Sequence, residues 1–255
     1  MKISKISMLH YIKLVCRSLL LIAAITVYIV FKFSKKDFSI ADLEITIVFG
    51  IIWFIYLLEM IIRFFPSKLE SMGCQKQFEK NYIPNVSNKE IYFKKKPYTT
   101  RIVLLSWILL NGIIGILYYT NIFDKGILLL ISFTYGVCDM ICILFFCPFQ
   151  TWIMKNKCCT TCRIYNWDFA MMFTPLVFIP SIYTYSLLIL SLILLFKWEL
   201  YYHKYPERFL EDTNASLHCE NCKEKLCHHK KQLRFFMKKQ INKAKKLIKK
   251  EQLNV

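Results

Sequence analysis

Long apolar runs separated by basic connections form the main pattern of the chain. A helix that crosses ~30 Å of hydrocarbon needs about 20 mostly apolar residues. Runs near this length occupy residues 14–33, 45–62, 102–120 and 126–149, and a further run, 169–196, contains no charged residue. The pattern predicts an all-α integral membrane protein built as a polytopic helical bundle.

The uncharged run 169–196 has an awkward length for a membrane protein. Its 28 residues would make one straight helix of about 42 Å, whereas two full spans would need about 40 residues. Pro180 interrupts helical hydrogen bonding within the run. We therefore predict a short hairpin of two helices, which thins the bilayer or is buried as a re-entrant pair. With the four clear spans, this gives about six transmembrane helices.

Charge decides between this hairpin and the alternative, a single tilted and kinked span. The chain has 35 Lys and Arg against 17 Asp and Glu, a net charge of +18. With the N-terminus inside, a hairpin at 169–196 places 31 basic residues inside and 4 outside, whereas a single span gives 16 and 19. Because positive charge collects on the cytoplasmic side, we expect a cell-membrane protein with both termini in the cytoplasm.

This topology divides the chain into alternating hairpins and cytoplasmic segments. The predicted divisions are a first transmembrane hairpin (1–62), a basic cytoplasmic loop (63–101), a second transmembrane hairpin (102–149), a Cys-rich cytoplasmic loop (150–168), a third, short transmembrane hairpin (169–200) and a cytoplasmic tail (201–255).

Cysteine pairs flank the third hairpin. Cys159 and Cys162 form a C-x2-C motif before it, and Cys219 and Cys222 form another after it. Two residues between cysteines let both thiolates bind one ion, and the hairpin would bring the two pairs together. We expect these four residues to bind zinc or an iron–sulfur cluster. Residues that could replace a member of this set are Cys158, Cys227, His218 and His228.

A cysteine site of this kind would have a structural or sensing role, or would dock a protein partner. One alternative is a membrane redox protein that uses the C-x-x-C pairs for electron or thiol–disulfide transfer. Another is a set of unrelated cysteines on polar loops. The sequence has no phosphate-binding glycine loop and no HExxH or GxSxG motif, so we assign no catalytic residue.

Asp139 falls within an apolar run, with Cys138 beside it and Cys142 one turn away. An ionisable group at membrane depth is a functional candidate, so a transporter or channel that uses Asp139 is a third class of function. The structural alternative is an aspartate that is protonated or hydrogen-bonded between helices. Glu59 lies one turn before Arg63, and this spacing predicts an ion pair at a helix end.

The end of the chain has a different pattern. Residues 230–250 place apolar side chains at helical spacing among lysines, which predicts a basic amphipathic helix. Such a helix binds anionic lipid headgroups through apolar burial and charge. Nucleic acid is the competing partner for a basic chain, but no recognised nucleic-acid-binding motif occurs in the sequence, so lipid is favoured.

Overall fold

The computed structural model describes residues 5–33, 47–66, 75–85, 98–156, 162–221 and 235. These residues form helices and connecting segments, with one isolated bridge between Pro84 and Asn214 and no strand. The α-helices of this part of the chain are α1 (Lys5–Phe33), α2 (Ile47–Ile62), α3 (Tyr98–Tyr119), α4 (Lys125–Leu144), α5 (Asp168–Phe173) and α6 (Ile182–Lys204).

Four of the described helices are long and apolar enough to cross a membrane: α1, α3, α4 and α6. α2 is apolar but has only 16 residues. Many large apolar side chains on the long helices point outward, among them Leu19, Leu105 and Ile189. Such an outer surface suits lipid, where helices associate through close packing and polar contacts. The predicted all-helical fold is confirmed, and the four apolar helices fit the predicted membrane protein.

α4 ends earlier than its apolar run. The run continues to residue 149, but the helix stops at Leu144, and Pro148 follows shortly. Proline has no N–H to donate and disfavours helical backbone in the residue before it. Beyond Pro148 the chain makes one turn of π-helix, Phe149–Ile153.

Asp124 caps the other end of α4. Its carboxylate accepts hydrogen bonds from the Ile127 N–H at 2.9 Å and from the Tyr28 hydroxyl at 2.8 Å. Burial by itself would raise the pKa of Asp124, but these hydrogen bonds and one from Lys32 hold the pKa below its usual value. The cap therefore fixes the end of α1 against the start of α4.

The uncharged run 169–196 folds back at Pro180. Its first arm consists of α5 and a 3-10 helix, Thr174–Phe178, and its second arm is α6. The Phe178 ring lies 5.9 Å from the ring of Tyr118 at the far end of α3. At the start of the run, Trp167 Nε1 donates to Glu199 near the end of α6 at 2.7 Å. Both feet of the fold-back therefore lie at the same end of the bundle.

The first arm packs into the centre of the bundle. Phe169, Met172 and Phe173 are buried, and the Phe173 ring contacts the Tyr56 ring of α2 at 5.5 Å. Ser132 Oγ of α4 donates to the carbonyl of Met172 at 2.8 Å. That hydrogen bond satisfies a main-chain acceptor near the place where α5 gives way to the 3-10 helix, as a buried irregular segment requires.

The segments 75–85 and 205–221 pack together beyond the ends of α2 and α6. Asn214 is fully buried, and its Nδ2 donates to the carbonyls of Lys76 at 3.1 Å and Arg208 at 2.8 Å. The Ala215 N–H donates to the carbonyl of Ile83 at 2.9 Å. The connection after α2 and the chain after α6 therefore lie at the same end of the molecule.

Candidate functional site

A cluster around Glu199 joins the two feet of the fold-back. Its carboxylate accepts hydrogen bonds from the Arg163 guanidinium and from Trp167 Nε1. The Arg163 guanidinium also lies 4.1 Å from the centre of the Tyr202 ring. Because Arg163 directly follows Cys162, the cluster fixes the backbone at that cysteine against α6.

The predicted metal ligands lie partly within the described residues. Cys162 is buried, with 3% of its surface exposed, and packs with Val103, Ile164 and Trp167. Cys219 is exposed. The remaining predicted ligands, Cys158, Cys159, Cys222, Cys227 and His228, lie outside the described residues. Within the part of the chain that the structure describes, no three His, Cys, Asp or Glu side chains are grouped to hold a metal ion.

His218 makes one contact that bears on its predicted role. Its Nε2 donates to the carbonyl of Glu211 at 2.8 Å. A histidine that binds a metal generally donates its other ring N–H to a carbonyl or carboxylate, which fixes the tautomer. The contact with Glu211 would therefore leave Nδ1 of His218 as the ligating atom.

Asp139 belongs to an ion network that joins three helices. Arg17 of α1, only 8% exposed at its side chain, donates to Asp139 Oδ2 at 3.2 Å and to Glu59 Oε2 of α2 at 3.0 Å. It also donates to the carbonyl of Gly136 in α4 at 3.0 Å. Lys13 adds a contact to Glu59 at 3.4 Å. These contacts fit the structural role considered for Asp139, that of an aspartate hydrogen-bonded between helices.

Arg63 binds Asp168 at the start of α5. Two of its nitrogens each lie 2.6 Å from a different oxygen of that carboxylate, and both side chains are almost fully buried. The Arg63 guanidinium also lies 4.4 Å from the centre of the Phe169 ring. The spacing in the sequence predicted a pair of Arg63 with Glu59; in the structure Arg63 binds Asp168, and Glu59 also accepts contacts from Lys13 and Arg17 of α1.

A cavity of about 120 Å³ lies between α3, α4 and the segment that leads into α5. Its lining includes the three predicted intramembrane candidates, Asp139, Cys138 and Cys142. Two further thiols line it, those of Cys147 and Cys162. The structure therefore brings one predicted metal ligand and all three intramembrane candidates to a single cavity.

Two of these thiols contact each other. The side chains of Cys142 and Cys147 are hydrogen-bonded, and the Gln150 N–H donates to Cys147 Sγ at 3.4 Å. The sequence prediction missed Cys147, because it treated residues 126–149 as one continuous helix. The signal that pointed to it was Pro148, because proline disfavours helical backbone in the residue before it, which here is Cys147.

Comparison of the chain with protein-family models, with curated proteins and with solved structures finds no match. Its function is therefore inferred from its own side chains.

Proposed function

We propose that the chain is a multi-pass protein of the cell membrane whose cysteine-bearing end binds a metal ion through thiolates. The role of the ion is to fix this end of the bundle, to sense the metal or to dock a protein partner. The observation that carries the proposal is the fold-back at Pro180, with Glu199 holding Arg163 and Trp167 at its feet. In the sequence, one C-x2-C motif lies at the start of this fold-back and the other follows its end.

Four ligands are proposed for the ion: Cys159, Cys162, Cys219 and Cys222. Zinc takes four thiolates or exchanges one for histidine, and the contact of His218 with Glu211 supports His218 as such a substitute. An iron–sulfur cluster is the second candidate, with thiolates throughout. Cys158, Cys227 and His228 remain further substitutes by spacing.

The membrane arrangement has about six crossings, with α5 and its 3-10 extension as a short one. Irregular backbone at membrane depth is tolerated where it is buried in protein, and the burial of Phe169 and Phe173 supports this placement. The packing of segment 75–85 against 205–221 supports placing the basic loop and the tail on one side. By the distribution of basic residues that side is the cytoplasm, where residues 230–250 bind anionic lipid headgroups.

The competing functions have less support. Thiol–disulfide exchange needs an accessible thiolate, and Cys162 is buried. Transport rested on Asp139, whose carboxylate is bound by Arg17.

Metal content tests the proposal. Protein purified in detergent without oxygen should carry about one zinc per chain by elemental mass spectrometry, since a structural site binds its metal tightly. Cys159→Ser and Cys222→Ser should each abolish it, and the double variant should be no worse than either single one, because the four thiolates share the ion. Cys16→Ser, an exposed cysteine on α1, is the matched control.

If the purified protein contained iron with acid-labile sulfide in place of zinc, the site would hold an iron–sulfur cluster. Protein with neither metal and with all thiols titratable would overturn the proposal, as would independent and additive losses from the two motifs.

A further inference from the structure

The contacting thiols of Cys142 and Cys147 form a second sulfur site in the cavity that Cys162, of the first C-x2-C motif, also lines. Cys142 lies in the last turn of α4 and Cys147 three residues after its end. The two side chains are hydrogen-bonded, and the Gln150 N–H donates to Cys147 Sγ. Cysteine binds metals as the thiolate, so each thiol would release its proton when the ion binds.

The surroundings of this pair are rich in sulfur and poor in polar groups. Besides the pair, the lining of the cavity contains the thiols of Cys138 and Cys162 and the thioethers of Met171 and Met172. The rest is mainly aromatic and aliphatic, and the carboxylates of Asp139 and Asp168 are bound by arginines. The cavity therefore suits a soft ion and not Mg²⁺ or Ca²⁺, which need several oxygen ligands.

The number of ligands separates the soft ions from one another. Zinc and iron–sulfur clusters take four protein ligands in structural sites, and no group of three or more His, Cys, Asp or Glu ligands occurs among the described residues. Cu(I) is the soft ion that two sulfur ligands satisfy. Thiolate and thioether ligands select it.

We propose that Cys142 and Cys147 bind a Cu(I) ion in this cavity. Two Cu–S bonds form and the two S–H protons leave to solvent, with no change in the oxidation state of copper or sulfur. The proposal does not depend on the metal site of the C-x2-C motifs.

Titration of the full chain with Cu(I) under anaerobic conditions, in detergent and against bathocuproine disulfonate, tests the site. The starting variant replaces Cys158, Cys159, Cys219, Cys222 and Cys227 with serine, so that these thiols bind no copper. It should retain one Cu(I) per chain, with two sulfur neighbours by X-ray absorption. Adding Cys142→Ser or Cys147→Ser should weaken binding by more than about 100-fold, beyond the range expected for loss of an outer-shell partner.

Two further variants separate ligation from folding. Cys147→Met keeps a sulfur ligand and should bind Cu(I) more tightly than Cys147→Ser. Cys138→Ser changes the lining of the same cavity and should retain one Cu(I) per chain.

Three results would overturn the proposal. They are no Cu(I) binding by the starting variant, equal binding with and without Cys142 and Cys147, and a disulfide between these two cysteines in protein isolated from cells with thiols trapped. The zinc content of the wild-type chain should respond to Cys159→Ser and Cys222→Ser and not to substitution of this pair, so failure of either metal proposal leaves the other testable.

Discussion

Arg17 binds carboxylates on two other helices from a position deep in α1. A charged side chain at membrane depth is costly unless it is paired, and Asp139 and Glu59 supply the pairing. Among the described residues, Lys13 also contacts Glu59, and Arg63 forms a second buried ion pair with Asp168. Each of these three carboxylates therefore has a cation beside it.

Replacing Arg17 should destabilise the bundle. Arg17→Met leaves Asp139 buried without its cation, and breaking a buried pair in this way costs about 3–5 kcal/mol. Thermal unfolding in detergent micelles measures the loss. The double variant Arg17→Met with Asp139→Asn should recover much of it, because no uncompensated carboxylate remains there and Lys13 still contacts Glu59. Lys32→Met, at an exposed ion pair, should have little effect, and an equal effect of Arg17→Met and Lys32→Met would contradict this account.

The partners of these charges were beyond sequence reasoning. Arg17 and Asp139 are 122 residues apart, and Arg63 and Asp168 are 105 apart. Spacing along one helix suggested Glu59 with Arg63, because only neighbours on the same helix can be paired without knowing how helices pack. The presence of charged groups within apolar runs was visible in the sequence, and their partners were set by tertiary structure.

Two glycines on α3 show how closely the first arm of the fold-back approaches its neighbours. A Cβ atom on Gly115 would lie 2.6 Å from Cζ of Phe178, whereas a Cβ on Gly112 would meet nothing within 4 Å. Small residues let helices approach closely in membranes. Gly115 is therefore the position that admits the Phe178 ring, and Gly112 provides a control one turn away.

Gly115→Ala should lower stability where Gly112→Ala does not. The added methyl group must displace an aromatic ring between packed helices, and overpacking of this kind costs about 1–3 kcal/mol. Gly112→Ala should stay within about 1 kcal/mol of wild type, since alanine favours the helix. Unfolding temperatures of the two variants in the same detergent provide the comparison. Equal unfolding temperatures would mean that the Phe178 ring moves aside without a loss of stability, which would contradict the prediction.

At the scale of helices, hydropathy and Pro180 predicted the apolar elements and the reversal of the chain, because both depend on local composition. The boundary at Leu144 was missed, since the apolar residues continue past it and only Pro148 marks the change. The contact between Cys142 and Cys147 depends on that boundary. The sequence analysis therefore did not predict this contact.

The whole molecule has two distinct ends. One end holds Glu199 and the packed segments 75–85 and 205–221. The other holds the turn between α3 and α4, where Asp124 binds Tyr28 of α1. α6, with 23 residues, is about 34 Å long, enough to separate the two ends by the thickness of a bilayer core.

Thiol labelling should separate these two ends. A membrane-impermeant maleimide should modify Cys219 and the thiol of Glu79→Cys from the same side of sealed vesicles, because both lie in the packed segments. The thiol of Lys125→Cys, at the start of α4, should react only from the opposite side. Peptide mass spectrometry identifies the modified residue. Labelling of Cys219 and Lys125→Cys from one side would contradict the arrangement, and the orientation of the vesicles tells which end faces the cytoplasm.

The short first arm of the fold-back has a consequence for biogenesis. α5 and the 3-10 helix together have 11 residues, about half of what a segment needs to partition into lipid as an independent helix. The hydroxyl of Ser132 on α4, which the ribosome has already synthesised, donates to one main-chain carbonyl of the arm, that of Met172. If the arm is a short crossing, as proposed, we expect it to insert only after the preceding helices have assembled, as a step of tertiary folding and not of translocation.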